Sequence, residues 1–148
     1  MVRRLFCGLL APAVLLAAGP ARIVSTSPSI TEMLYAMGLG DRVAGVTTFC
    51  RYPPEAARKP KIGNYLQPNM EIITALRPDL VIAEVTGVRR AERFSALGLR
   101  VLEVDDGTIA GIYASISRIG EAAGAKAAAD ALNARIRASL EEVRRKTE

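Results

Sequence analysis

The chain's hydrophobic positions change period repeatedly. RIVST, at 22–26, is a short β-branched run and predicts a strand. SITEMLYAMG follows, with Ile30, Met33, Leu34 and Met37 at i, i+3, i+4 and i+7, which is one apolar helical face. Two starts fit this helix: a capping box of Ser29 with Glu32, or a Ser27 cap with Pro28 in the first helical position. Gly38 is its expected stop. RVAGVTT predicts the next strand. YPPEAARKP carries three prolines and cannot continue a strand or helix for long. KIG reads as a brief strand and NYLQP as a loop.

Asn69 suits the N-cap of a short helix that runs to about Leu76. PDLVIAE then forms a continuous apolar run, as in a strand covered on both faces. A helix over about 88–97, ending at Gly98, precedes the strand LRVLEV. A helix over 108–123 sets Ile109, Ile112, Tyr113, Ile116 and Ile119 on one face. The last segment, Ala125 to near Lys146, carries Leu132, Ile136, Leu140 and Val143 along one stripe. At about 1.5 Å per residue it would span roughly 30 Å. The alternation predicts an α/β lobe with a mainly parallel sheet flanked by helices. The closing helix has no strand to return to, so it is expected to pack on something more.

The first 21 residues follow another logic. MVRR is a basic start, LFCGLLAPAVLLAA an apolar core, and GPA a run of small residues suited to cleavage after Ala21. The apolar run is shorter than a membrane span needs. It predicts an export leader over 1–21 and a mature, periplasmic chain from near Arg22. Cys7 stands at the start of the apolar core, a poor place for lipid attachment.

Composition narrows the chemistry. Among 148 residues, 20 basic against 15 acidic side chains give a net charge of +5, part of it in Arg3-Arg4 and Arg144-Arg145-Lys146. The body has no Lys/Arg cluster with interleaved aromatics, so nucleic acid is not an expected partner. The chain has no histidine, which removes His-based catalysis and His metal ligands. Cys50 is the sole cysteine after the leader; it is either buried and inert or paired outside this chain. GxGxxG, GKS/GKT and GxSxG motifs are absent. Asp105-Asp106 reads better as a turn and helix cap than as paired catalytic carboxylates. Arg89-Arg90 reads better as a solvated helix start than as an anion site. No enzymatic activity and no cofactor are expected.

In open α/β sheets, ligands bind outside the carboxyl ends of the strands. The loops there are STSP, TTFCRYPP, GNYLQPN and EVTGVRR. Pro28, Phe49, Tyr52 and Tyr65 fall in or beside them, giving ring surface for a small-molecule cleft. In the competing reading, Phe49 and Tyr52 close their loop onto the core. Glu71, in the first turn of the short helix, also has two readings: helix electrostatics, or a docking contact.

The ordered set SPSxTE, GVTxFCxYPP, KIGxY and NxExIxxLxPDLVI resembles the amino-terminal lobe of the periplasmic cobalamin and ferric-siderophore receptors of ABC importers, the helical-backbone metal receptor group. The resemblance runs from about Arg22 to the end of the chain. It implies two α/β lobes joined by a stiff helix, here 125–148, with a metal chelate held between them. The second lobe is then absent, and the chain is expected to be a fragment. Pro28, Phe49 and Tyr65 match ligand-lining positions, with Arg51 and Tyr52 beside them. Glu84 stands where the cobalamin receptor has an aromatic residue. Glu71 matches a glutamate that meets arginines on the permease dimer, which works with its ATPase subunits. Cobalamin is the favoured ligand, with a ferric siderophore or haem as the alternative. A third reading is a one-lobe interaction module that pairs through the stripe Leu132, Ile136, Leu140 and Val143.

Overall fold

The computed structural model describes residues 19–64, 66–85 and 90–147. Its elements run β1 (Ile23–Ser25), α1 (Pro28–Ala36), β2 (Val43–Gly45), α2 (Pro54–Ala57), α3 (Met70–Ala75), β3 (Leu80–Glu84), α4 (Arg90–Ser95), β4 (Val101–Val104), α5 (Ile109–Ala122) and α6 (Lys126–Thr147). The four strands form one parallel sheet in the order β2-β1-β3-β4. The α/β lobe with a parallel sheet and a long final helix is therefore present.

Each face of the sheet is covered, which is why its strands read as unbroken apolar runs. Ile23, Leu80, Ile82 and Val104 pack with Ile30, Met33 and Leu34 of α1, Ile116 and Ile119 of α5, and Leu132 of α6. On the opposite face, Val24, Val81 and Ala83 pack with Ile62, Ile73 of α3 and Phe94 of α4. Helices thus lie on both sides, and the strand order reverses about β1.

The helix ends follow local chemistry. Ser27 caps α1, its Oγ accepting from the Ile30 N–H, with Pro28 in the first position. Of the two starts open in the sequence, this is the one adopted; Ser29 lies inside the helix and cannot cap it. At the other end, Leu39 N–H donates to Leu34 O and Gly38 N–H to Tyr35 O, with Gly38 at φ 75°. This is a Schellman closure, which needs a left-handed residue at that point. The same pair of bonds closes α4 at Gly98 and α5 at Gly124.

Two expectations need correction. KIG is not a strand: it makes a single bridge, Val46 with Lys61, and a second links Gly63 to Pro68. Pro60 has no N–H to extend the ladder, and Gly63 at φ 93° turns the chain away. The final stripe, expected to stand exposed for a partner, does so only along its second half. Leu132 is 6 % exposed, whereas Leu140 and Val143 are 43 % and 59 % exposed. Ile109, at the very start of α5, likewise lies in solvent. α6 is seated by its first half. There Ala129 presses on Gly120, where a side chain would collide with the Ala129 methyl. Asn133 Nδ2 donates to Tyr113 O and Ser117 Oγ, and the Arg137 guanidinium covers the Tyr113 ring at 4.3 Å.

Candidate ligand and docking sites

The carboxyl ends of β1, β2 and β3 are tied together by buried hydroxyls. Ser25 Oγ lies 2.8 Å from Thr31 Oγ1 and donates to Ser27 O. Thr31 Oγ1 also bonds Ser27 O and Cys50 Sγ, and Thr47 Oγ1 reaches the same sulfur. Ser27 Oγ meets Ser29 Oγ, which donates to Glu84 Oε1 at 3.2 Å. The chain of contacts runs from the end of β3, through the start of α1, to the loop after β2. Ser25, Ser27, Thr31 and Thr47 are all at most 1 % exposed. Polar groups this deep are tolerated because they satisfy one another, and the result is a fixed platform.

Cys50 is the inward anchor of the loop after β2, at 1 % exposure. Of its two sequence readings, the buried one holds. Its neighbours are displaced outward: Phe49 is 58 % and Tyr52 67 % exposed, and Arg51 is exposed with them. Phe49 and Tyr52 therefore do not close the loop onto the core, and their rings stand in solvent beside this edge. Pro28 is half-buried at the first position of α1. Tyr65 lies outside the described residues. The structure thus places Pro28 at the start of α1 and Phe49, Arg51 and Tyr52 on the loop after β2, beside the hydroxyl platform. Sequence reading missed the platform, although the density of Ser and Thr in STS and TT was its signal.

Glu71 is exposed in the first turn of α3, whose cap is Asn69 Oδ1 accepting from the Ile72 N–H. Beside it Met70, Thr74, Ala75 and Leu97 line a shallow, mainly apolar groove. Asp105 builds a turn, its Oδ1 accepting from Gly107 N–H, while Thr108 caps α5. Asp105-Asp106 thus forms the expected turn, but the expected helix cap is supplied by Thr108 instead. Arg89 and the side chain of Arg90 fall outside the described residues.

Comparison with known proteins adds an independent line. A periplasmic binding protein family profile matches residues 23–148. An uncharacterized ABC transporter substrate-binding lipoprotein of Bacillus subtilis is 39 % identical over 132 residues, covering 86 % of this chain and 42 % of its own. The vitamin B12-binding protein of Vibrio campbellii is 36 % identical over 136 residues, covering 86 % and 48 %. In three dimensions, the periplasmic vitamin B12 binding protein of Vibrio cholerae superposes with a TM-score of 0.78 at 28 % identity, covering 86 % and 51 %. A periplasmic heme binding protein from Pseudomonas aeruginosa gives 0.77 at 25 %, covering 83 % and 45 %. The chain spans about half the length of these relatives.

Proposed function

Since this chain belongs to the periplasmic binding protein family, we propose that it supplies the amino-terminal ligand-facing lobe of an ABC importer's substrate-binding protein. It captures and does not catalyse. The ligand is a metal chelate met outside the cytoplasmic membrane, and cobalamin is the chelate it suits best. One observation carries this reading: the exposed rings of Phe49 and Tyr52 flank a buried anchor at the carboxyl edge of the sheet. Two exposed ring faces offer a large chelate apolar surface; of the cations beside them, Arg51 is exposed while the Lys61 ammonium is taken up by the carbonyls of Cys50 and Ala56. Haem or a ferric siderophore is the alternative, supported by the likeness to a heme-binding protein.

Delivery follows capture. Glu71 stands exposed on a separate helix, free to meet an arginine of a permease dimer that is driven by its ATPase subunits. An Arg–carboxylate pair at such a face orients the partners more than it tightens them.

The test is titration of the chain from Gly19 onward with cyanocobalamin, haemin and a ferric siderophore. With one wall of a cleft, binding is weak, with dissociation constants above about 1 μM, and cyanocobalamin leads. Joint replacement Phe49→Ala and Tyr52→Ala abolishes that lead. Submicromolar binding by this chain alone would refute the one-wall geometry. Ligand ranking indifferent to both rings would refute the site.

A further inference from the structure

The loop after β2 is buried at both ends and exposed between them. Cys50 is 1 % and Ala56 0 % exposed, while Arg51, Tyr52, Pro54 and Glu55 stand in solvent. The first end has a local difficulty. A carbonyl at a turn or helix start is met by the N–H three or four residues on. After Cys50 those positions are Pro53 and Pro54, which have no N–H. Lys61 supplies the missing donor: its Nζ donates to Cys50 O and to Ala56 O, each at 3.3 Å. Ala56 O belongs to the last turn of α2, where a cation is favoured.

Lys61 is itself held in place. Val46 N–H donates to Pro60 O, Ile62 N–H to Val46 O and Thr48 N–H to Gly63 O, and the adjoining side chain, Ile62, is fully buried. The lysine thus stands on a fixed strap beside the end of β2 and reaches across to both ends of the loop. The hydroxyl platform grips the loop at the Cys50 sulfur; the lysine joins that end to Ala56.

We propose that Lys61 is the positioning residue of the ligand-facing loop: its ammonium closes the loop at its base and holds Arg51 and Tyr52 in one arrangement for a chelate. This deepens the capture reading above and rests on it. Lys61 acts through the loop, its ammonium being directed at protein carbonyls. A loop tied in this way has given up its motion during folding, so less is lost when a ligand settles on it.

The experiment compares the chain from Gly19 onward with two variants. Lys61→Met keeps the reach of the side chain and removes its charge and donors; Lys61→Arg keeps both. Cys50, the sole cysteine of that chain, reports on the loop by its rate of thiol labelling. The second readout is affinity for whichever of cyanocobalamin, haemin and a ferric siderophore binds the parent most tightly. Lys61→Met is expected to label about tenfold faster, the size of one lost hydrogen bond to a charged donor. It should bind that chelate about fivefold or more weakly. Lys61→Arg should match the parent in both. Labelling through whole-chain unfolding quickens steeply with denaturant, whereas loop opening does not, so the faster rate should be insensitive to low denaturant. Unchanged labelling in Lys61→Met, a rise that tracks denaturant, or equally fast labelling in Lys61→Arg overturns the tie. Faster labelling with unchanged affinity overturns the positioning role. A parent chain that binds none of the three refutes the capture reading and the positioning role with it, while the labelling rates still judge the tie.

Discussion

Thr31 Oγ1 and Cys50 Sγ lie 3.2 Å apart in a space closed to solvent. One belongs to α1 and the other to the loop after β2, so the contact fixes the loop that presents Phe49, Arg51 and Tyr52. A thiol reagent can reach this sulfur only when the platform opens. We expect the Cys50 thiol to react in native buffer at least about 100-fold more slowly than in denaturant, an opening cost of about 2.7 kcal/mol or more. Rapid labelling of the folded chain would show that the loop is not anchored as described.

Gly120 and Ala129 set how closely α5 and α6 approach. A leucine in place of Gly120 has no room without moving α6. Gly120→Leu should cost about 1–3 kcal/mol by overpacking and lower the melting temperature by several degrees. By contrast, Leu140→Ser stays within about 0.5 kcal/mol, because that side chain already faces solvent in this chain. Similar losses for the two variants would mean that the second half of α6 is packed on something in solution.

Charge reversal at Glu71 separates docking from folding. Its carboxylate is exposed, and Asn69, not Glu71, caps α3. Glu71→Lys should lower stability by no more than about 1 kcal/mol, the size of a first-turn dipole term. Ligand affinity should be unchanged. Uptake through a partner permease should fall about tenfold or more. Unchanged uptake would leave helix electrostatics as its only role.

Tyr35 carries a buried hydroxyl that has no partner among the described residues. Burial raises its phenol above the ordinary 10.0, Glu55 and Asp41 add to the rise, and Arg58 partly opposes it. The folded state therefore disfavours the phenolate. The contribution is intact below pH 10.0 and is lost as the pH climbs through the raised folded value. Tyr35→Phe should gain about 1 kcal/mol near neutrality by removing the unpaired hydroxyl. It should also show a shallower fall in stability under alkaline conditions. Melting curves at neutral and alkaline pH check both signs.

These elements were legible in the sequence to differing degrees. The starts of α1 and α3 were clear because caps are local: Ser27 before Pro28, and Asn69, announce themselves within four residues. β3 was clear because a strand covered on two faces has no polar alternation to confuse it. KIG misled because a single bridge depends on a partner strand, which three residues cannot specify. The stripe of α6 was correctly seen as apolar, but periodicity cannot say how far along the helix its cover extends. Burial stops near Ile136. The hydroxyl platform was the largest omission. Ser25, Thr31, Thr47 and Cys50 span more than twenty positions and meet only once β1, α1 and the loop after β2 are assembled. Phe49 and Tyr52 could be assigned to their loop from the sequence, but that both stand in solvent follows from Cys50 turning inward between them.

The margin of the sheet carries a further consequence. β4 is one of its two outer strands, and among the described residues no strand pairs beyond it. A bare row of amides and carbonyls is a template on which another chain can crystallise into a growing ribbon. Glu103 is exposed near the middle of that strand. Two copies meeting edge to edge would bring two carboxylates together while stripping their water, so the lobe carries its own deterrent to polymerisation where its backbone is most inviting.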